Sequence, residues 1–134
     1  MIKSNKDNIL VIGKKNKKLG ELISILSEYS NCVFVAYSFT DMMLFARRNY
    51  INLITITDSL AKNPSKDFIL KTRHFFPHAK VICLFDKVTE DTEVILRSIG
   101  IIYLGSYNNF KELACEILPA AMDSHIGSRE GPHR

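Results

Sequence analysis

Apolar residues fall into two alternating rhythms along this chain. Short continuous runs, rich in β-branched residues and nearly free of charge, occur at 8–13, 32–37, 51–57, 80–85 and 101–104. Runs of that length suit strands buried on both faces, as in a parallel sheet covered by helices. Between them apolar residues recur at helical spacing. Leu19, Leu22, Ile23, Leu26 and Tyr29 predict a first helix, and Asn31 breaks it. Ser38-Phe-Thr-Asp41 has capping-box form, with Asp in place of Glu, and opens a helix from Thr40 to about Arg48. Arg47 and Arg48 suit the negative end of its dipole. Pro64-Ser65 starts a third helix over 65–76, and Pro77 stops it. Thr89 caps a fourth with an acidic first turn, and Gly100 closes it. Asn109 is the predicted cap of the last helix. Its buried stripe is Phe110, Leu113, Ala114, Ile117 and Leu118, and Pro119 weakens or ends it. Five strands thus alternate with five helices, and right-handed βαβ units give a parallel sheet with helices on both faces.

The run at 51–57 is where function is to be sought. It ends at Thr57 and Asp58 and passes into a polar, Pro-containing loop. In open α/β sheets, chemistry gathers where strands run out into such loops.

Composition narrows the class. A chain of 134 residues predicts one domain, here 1–122, and 123–134 reads as a disordered tail or linker stump. The apolar runs are too short to span a bilayer, and the N-terminus leads straight into a strand without a signal region, so a cytoplasmic location is expected. Cys32, Cys83 and Cys115 are widely spaced and read as small buried hydrophobes in a reducing compartment. His74 and His78 have no acidic or thiol neighbour in sequence, so no metal or other cofactor is expected. The net charge is +4, mildly basic, with Lys14, Lys15, Lys17 and Lys18 inside five residues. These lysines, next to a helix start, form a candidate anion site, although neither a Walker loop nor GxGxxG is present. No nucleophile stands beside an assigned base, so catalysis is not expected.

The order of elements over 7–122 resembles the receiver domain of bacterial response regulators. Phe76-Pro-His-Ala-Lys-Val-Ile82 is similar to the helix-to-strand passage of receivers that precede helix-turn-helix output domains of the NarL/LuxR kind. Arg97-Ser-Ile-Gly-Ile-Ile-Tyr-Leu104, followed by Asn108-Asn-Phe-Lys-Glu112, resembles the same class's glycine, aromatic and fifth helix. The resemblance implies a flavodoxin/CheY-like, three-layer, doubly wound five-stranded sheet of order 2-1-3-4-5 with five helices.

The resemblance also implies a chemistry. Two acids after the first strand hold Mg²⁺, and an aspartate ending the third strand takes a phosphoryl group. A Ser or Thr ends the fourth strand, and a lysine ends the fifth. This chain departs from the set. Gly13 and Lys14 stand at the acidic pair. Either Asp58 or, counting from Asn52, Thr57 falls at the phosphoacceptor. Phe85 stands at the hydroxyl position, or Leu84 by a shift of one. Tyr103 matches the aromatic, and Ser106 takes the lysine's place. The expectation is an atypical pseudo-receiver working in signal transduction or transcription regulation by phosphorylation-independent protein contact. Its signalling and homodimer face is expected on the fourth helix, fifth strand and fifth helix, with Glu93, Arg97, Tyr103, Lys111 and Glu116 among its residues. DNA would be reached only through an output domain not in this sequence. The alternative is a ligand-sensing pseudo-receiver that binds an anion or phosphorylated metabolite at the strand ends.

Overall fold

The computed structural model describes the backbone at 4–57, 66–85 and 89–130, and side chains at 8–57, 70–85 and 89–121. Strands β1 (Ser4–Ile12), β2 (Ser30–Ala36), β3 (Leu53–Thr57), β4 (Lys80–Leu84) and β5 (Ile101–Gly105) alternate with helices α1 (Lys17–Ser27), α2 (Phe39–Arg48), α3 (Lys66–Phe75), α4 (Glu90–Ser98) and α5 (Tyr107–Glu130). The sheet has the order β2-β1-β3-β4-β5 and every pairing is parallel. This is the expected flavodoxin-like arrangement. Among the described residues, no helix is long and apolar enough to cross a membrane.

Strand alternation splits the core into two layers. Ile9, Val11, Leu53, Ile82 and Leu84 face α1 and α5, where Leu22, Leu26, Phe110 and Leu118 meet them. Leu10, Ile12, Ile54, Ile56, Val81 and Cys83 face the other way, toward Met42 of α2 and Leu96 of α4. The middle of each central strand is largely apolar because both faces are covered, Thr55 being the buried polar exception in β3.

The caps are partly those the sequence suggested. Ser38 Oγ accepts the Asp41 N–H at 3.1 Å. Asp41 reaches back one residue further than a usual capping box and takes the Tyr37 N–H at 3.0 Å. Thr89 caps α4 through the Thr92 N–H. Gly100 closes α4 with φ +79°, a left-handed conformation that glycine adopts without a Cβ clash.

Three expectations are corrected. Helix α5 starts at Tyr107, and its cap is Ser106, whose hydroxyl accepts the Asn109 N–H at 3.2 Å. Asn109 therefore lies inside the first turn. Pro119 does not end α5; the carbonyl it leaves without a helical donor is that of exposed Cys115, which water can reach. Leu113 and Cys115 are exposed, not buried. The stripe that packs is Phe110, Ala114, Ile117, Leu118 and Ala121. The backbone of α5 is helical to Glu130, and 131–134 lie outside the described residues.

Candidate functional site at the strand ends

Parallel register aligns the strand ends in one row. Ile12 pairs with Ile56, Thr57 with Leu84, and Leu84 with Gly105. The Phe85 N–H donates to the Gly105 carbonyl at 2.9 Å. The fold thus brings Gly13, Thr57, Phe85 and Ser106 to a single edge, although they are up to 93 residues apart (106 − 13).

Their polar groups are already engaged. The Gly13 N–H extends the ladder to the Ala36 carbonyl at 3.1 Å. The Thr57 hydroxyl donates to the Ile12 carbonyl at 3.2 Å, tying the end of β3 to β1. The Ser106 hydroxyl is the α5 cap. Phe85 is only 2% exposed and belongs to the layer beside α4, so it fills the position with apolar volume. Lys14 is exposed, as are Lys15, Lys17 and Lys18. Asn16, among these lysines, is the cap of α1, taking the Leu19 N–H at 2.8 Å. Asp58 and Asp86 lie outside the described residues.

The donor set decides what the edge can hold. A divalent cation needs oxygen ligands, mainly carboxylates. At the positions of the acidic pair stand a glycine with no side chain and a lysine that repels a cation. The described residues here do not fit Mg²⁺. Among the described residues, no cluster of three His, Cys, Asp or Glu side chains could hold a metal.

Strand β5 carries a feature invisible in the sequence. Val81 pairs with Ile101 and Ile82 with Tyr103, so Ile102 is an extra residue, a bulge on the edge strand. The bulge leaves Ile102 43% exposed and turns Tyr103 toward α5. The Tyr103 ring lies 6.1 Å from that of Phe110, and its phenol covers Gly105, where an added Cβ would fall 2.6 Å from the hydroxyl oxygen.

The candidate surface residues separate accordingly. Glu93 and Arg97 pair along α4 at 3.1 Å. Glu116 shares a cavity of about 320 Å³ with Lys80 and Ile102. Lys111 turns toward α1, with its ammonium 5.9 Å from the Tyr107 ring. Tyr107 donates to Glu21 at 3.1 Å, and burial, then this bond and the Glu21 charge, pushes its phenol up to about 12. Cys83 is buried, and desolvation pushes its thiol up to about 12, so it is inert at neutral pH.

One residue escaped sequence reading altogether. Arg73 of α3 donates to four carbonyls: Ile99 at 3.1 Å, Phe76 at 3.1 Å, Pro77 at 3.0 Å and Ala79 at 2.8 Å. It locks the end of α3, the turn into β4 and the end of α4. Only its position in the last turn of a basic-ended helix hinted at it.

No family model matches the chain, and no curated protein sequence matches it. Solved structures do match. A response regulator from Burkholderia pseudomallei is 21% identical with a TM-score of 0.67, covering 96% of this chain and 75% of that one. A CheY-like receiver domain from Methanospirillum hungatei is 16% identical with a TM-score of 0.68, over 88% of this chain and 98% of that one. A two-component response regulator from Clostridium difficile is 14% identical with a TM-score of 0.72, over 87% and 95%. The shared property is the fold, that of response-regulator receiver domains.

Proposed function

We propose that this chain is a receiver-like signalling domain of the two-component type that works by protein contact and without aspartyl phosphorylation. The observation that carries the reading is the donor set at the strand ends. Glycine and lysine replace the metal-binding acids, buried Phe85 replaces the hydroxyl, and Ser106 is spent on a helix cap where the family has a lysine. A phosphoryl group on this edge would lack the metal, and the lysine that the resemblance implies at position 106, to offset its charge.

The contact surface is the side formed by α4, β5 and α5. Each of these elements leaves one large apolar side chain in solvent: Val94 at 68% exposure, Ile102 and Leu113. Glu93, Arg97 and Glu116 lie beside them in sequence or space. An apolar centre with a charged rim is the composition of a protein interface. A second copy is one occupant, and transcription control through an attached output domain is one use.

The test is thermal stability with Mg²⁺ and beryllofluoride, a phosphoryl mimic, beside a phosphate and nucleotide panel. The reading expects no shift from Mg²⁺ plus mimic. A shift that needs both and vanishes in Asp58→Ala would overturn it. A shift from phosphate or nucleotide alone, lost in Lys14→Ala, would replace it with the ligand-sensing reading. For the surface, Val94→Glu should abolish partner capture or self-association while leaving the melting curve unchanged.

A further inference from the structure

We infer that the groove between α2 and the outer edge of β2 is a self-association surface, covered by the same face of a second copy about a two-fold axis. The inference is independent of the α4–β5–α5 face, because β2 and β5 are opposite edges of the sheet.

The groove encloses about 470 Å³ and is lined by Phe34, Tyr37, Leu44 and Phe45, with Asp41 and Arg48 toward its ends. Phe34 and Phe45 form its floor, their ring centroids 5.2 Å apart. Tyr37 and Leu44 are each 45% exposed and stand together on this groove. Among the described residues, β2 pairs only with β1, so its other edge is open.

Charge selects the occupant. Asp41, Leu44, Phe45 and Arg48 stand at i, i+3, i+4 and i+7, one face of α2. The midpoint between Asp41 and Arg48 falls between Leu44 and Phe45. Two α2 helices crossing antiparallel at that midpoint bury Leu44 against itself. They also set Asp41 of each copy against Arg48 of the other, since the charges lie about 10 Å apart along each helix. A two-fold contact repeats that ion pair, so one acid and one base suffice for two bridges. A parallel arrangement sets like charges together and is disfavoured. The association is reversible and concentration-dependent.

The experiment is sedimentation equilibrium of the full chain over a concentration series to about 1 mM. Leu44→Glu and Arg48→Asp should each weaken association about tenfold or more. The double swap Asp41→Arg/Arg48→Asp should restore it, since a two-fold contact stays complementary. Because Asp41 also holds the Tyr37 N–H, folding of the swap is checked by circular dichroism. A second arm uses Leu44→Cys in a Cys32→Ser/Cys115→Ser background. Oxidation should cross-link it to itself, whereas a cysteine at exposed Asn108 should stay monomeric. A wild-type chain that is monomeric throughout, unchanged association in Leu44→Glu and Arg48→Asp, or no cross-link at position 44 would each overturn the inference. Association lost in Val94→Glu but kept in Leu44→Glu would overturn it too, while leaving the proposed function standing.

Discussion

The two ends of the sheet differ in how many side chains tie one element to another. At the ends where strands begin, side chains bridge different elements. Asn52 Oδ1 takes the Asn8 N–H at 2.7 Å, the Asn8 amide donates to the Tyr50 carbonyl at 2.7 Å, and Arg73 gathers three carbonyls of the 76–79 turn and that of Ile99 at the end of α4. At the ends where strands finish, the Thr57 hydroxyl bridges two strands, the Ser106 hydroxyl caps its own helix, and buried Phe85 adds apolar volume. A receiver-type fold ordinarily keeps its chemistry at the second end. On the proposed reading that end is structural filling, while the first end is a clamp.

The contrast can be broken most sharply at Arg73. Arg73→Met should cost roughly 3 kcal/mol, because charge-assisted hydrogen bonds contribute more than neutral ones and partly buried carbonyls lose their donor. Arg73→Lys should recover less than half of the loss in urea denaturation, since one ammonium cannot span the same fork of acceptors. Burial holds the guanidinium pKa below its usual value, but it remains charged at any pH of interest.

At the other end, Phe85→Thr restores the hydroxyl that the family resemblance implies, yet it should cost about 3 kcal/mol as a large-to-small change in a filled core. If it proves neutral, and brings a Mg²⁺-dependent shift with beryllofluoride, the end is a dormant site and not filling.

A finer comparison sets Asn52→Ala against Thr57→Val. The first should cost about 1–2 kcal/mol by stranding the part-buried Asn8 N–H. The second removes one hydroxyl donated to a single carbonyl and should cost at most about 0.5–1 kcal/mol. Equal losses would erase the asymmetry between the ends.

The smallest effect lies between them. Thr55 is fully buried in mid-β3, and its hydroxyl is the buried side-chain polar atom without a partner among the described residues. Thr55→Val removes that cost at nearly constant volume and should stabilise by up to about 1 kcal/mol, read as a raised melting temperature.

Element type and order were legible in the sequence because they follow from local periodicity. A run such as Leu53-Ile-Thr-Ile-Thr57 has no polar face to show solvent, and Leu19, Leu22 and Leu26 can share one face only on a helix. The absence of an acidic pair at Gly13 and Lys14 was equally plain, since a missing side chain needs no coordinates. What the sequence could not supply are events that need two elements at once. The bulge at Ile102 exists because β5 is an edge strand with one neighbour to satisfy, and it alone turns Tyr103 toward Phe110. Ser106 outcompetes Asn109 as a cap because the chain leaves β5 at the level where a helix can begin. Pro119 is tolerated because the backbone it strands faces water. The clamp of Arg73 joins the local turn after α3 to the Ile99 carbonyl, which only folding brings within reach. Local pattern determined which elements form; the mutual placement of those elements decided which polar groups were left for chemistry, and at the strand ends it left very few.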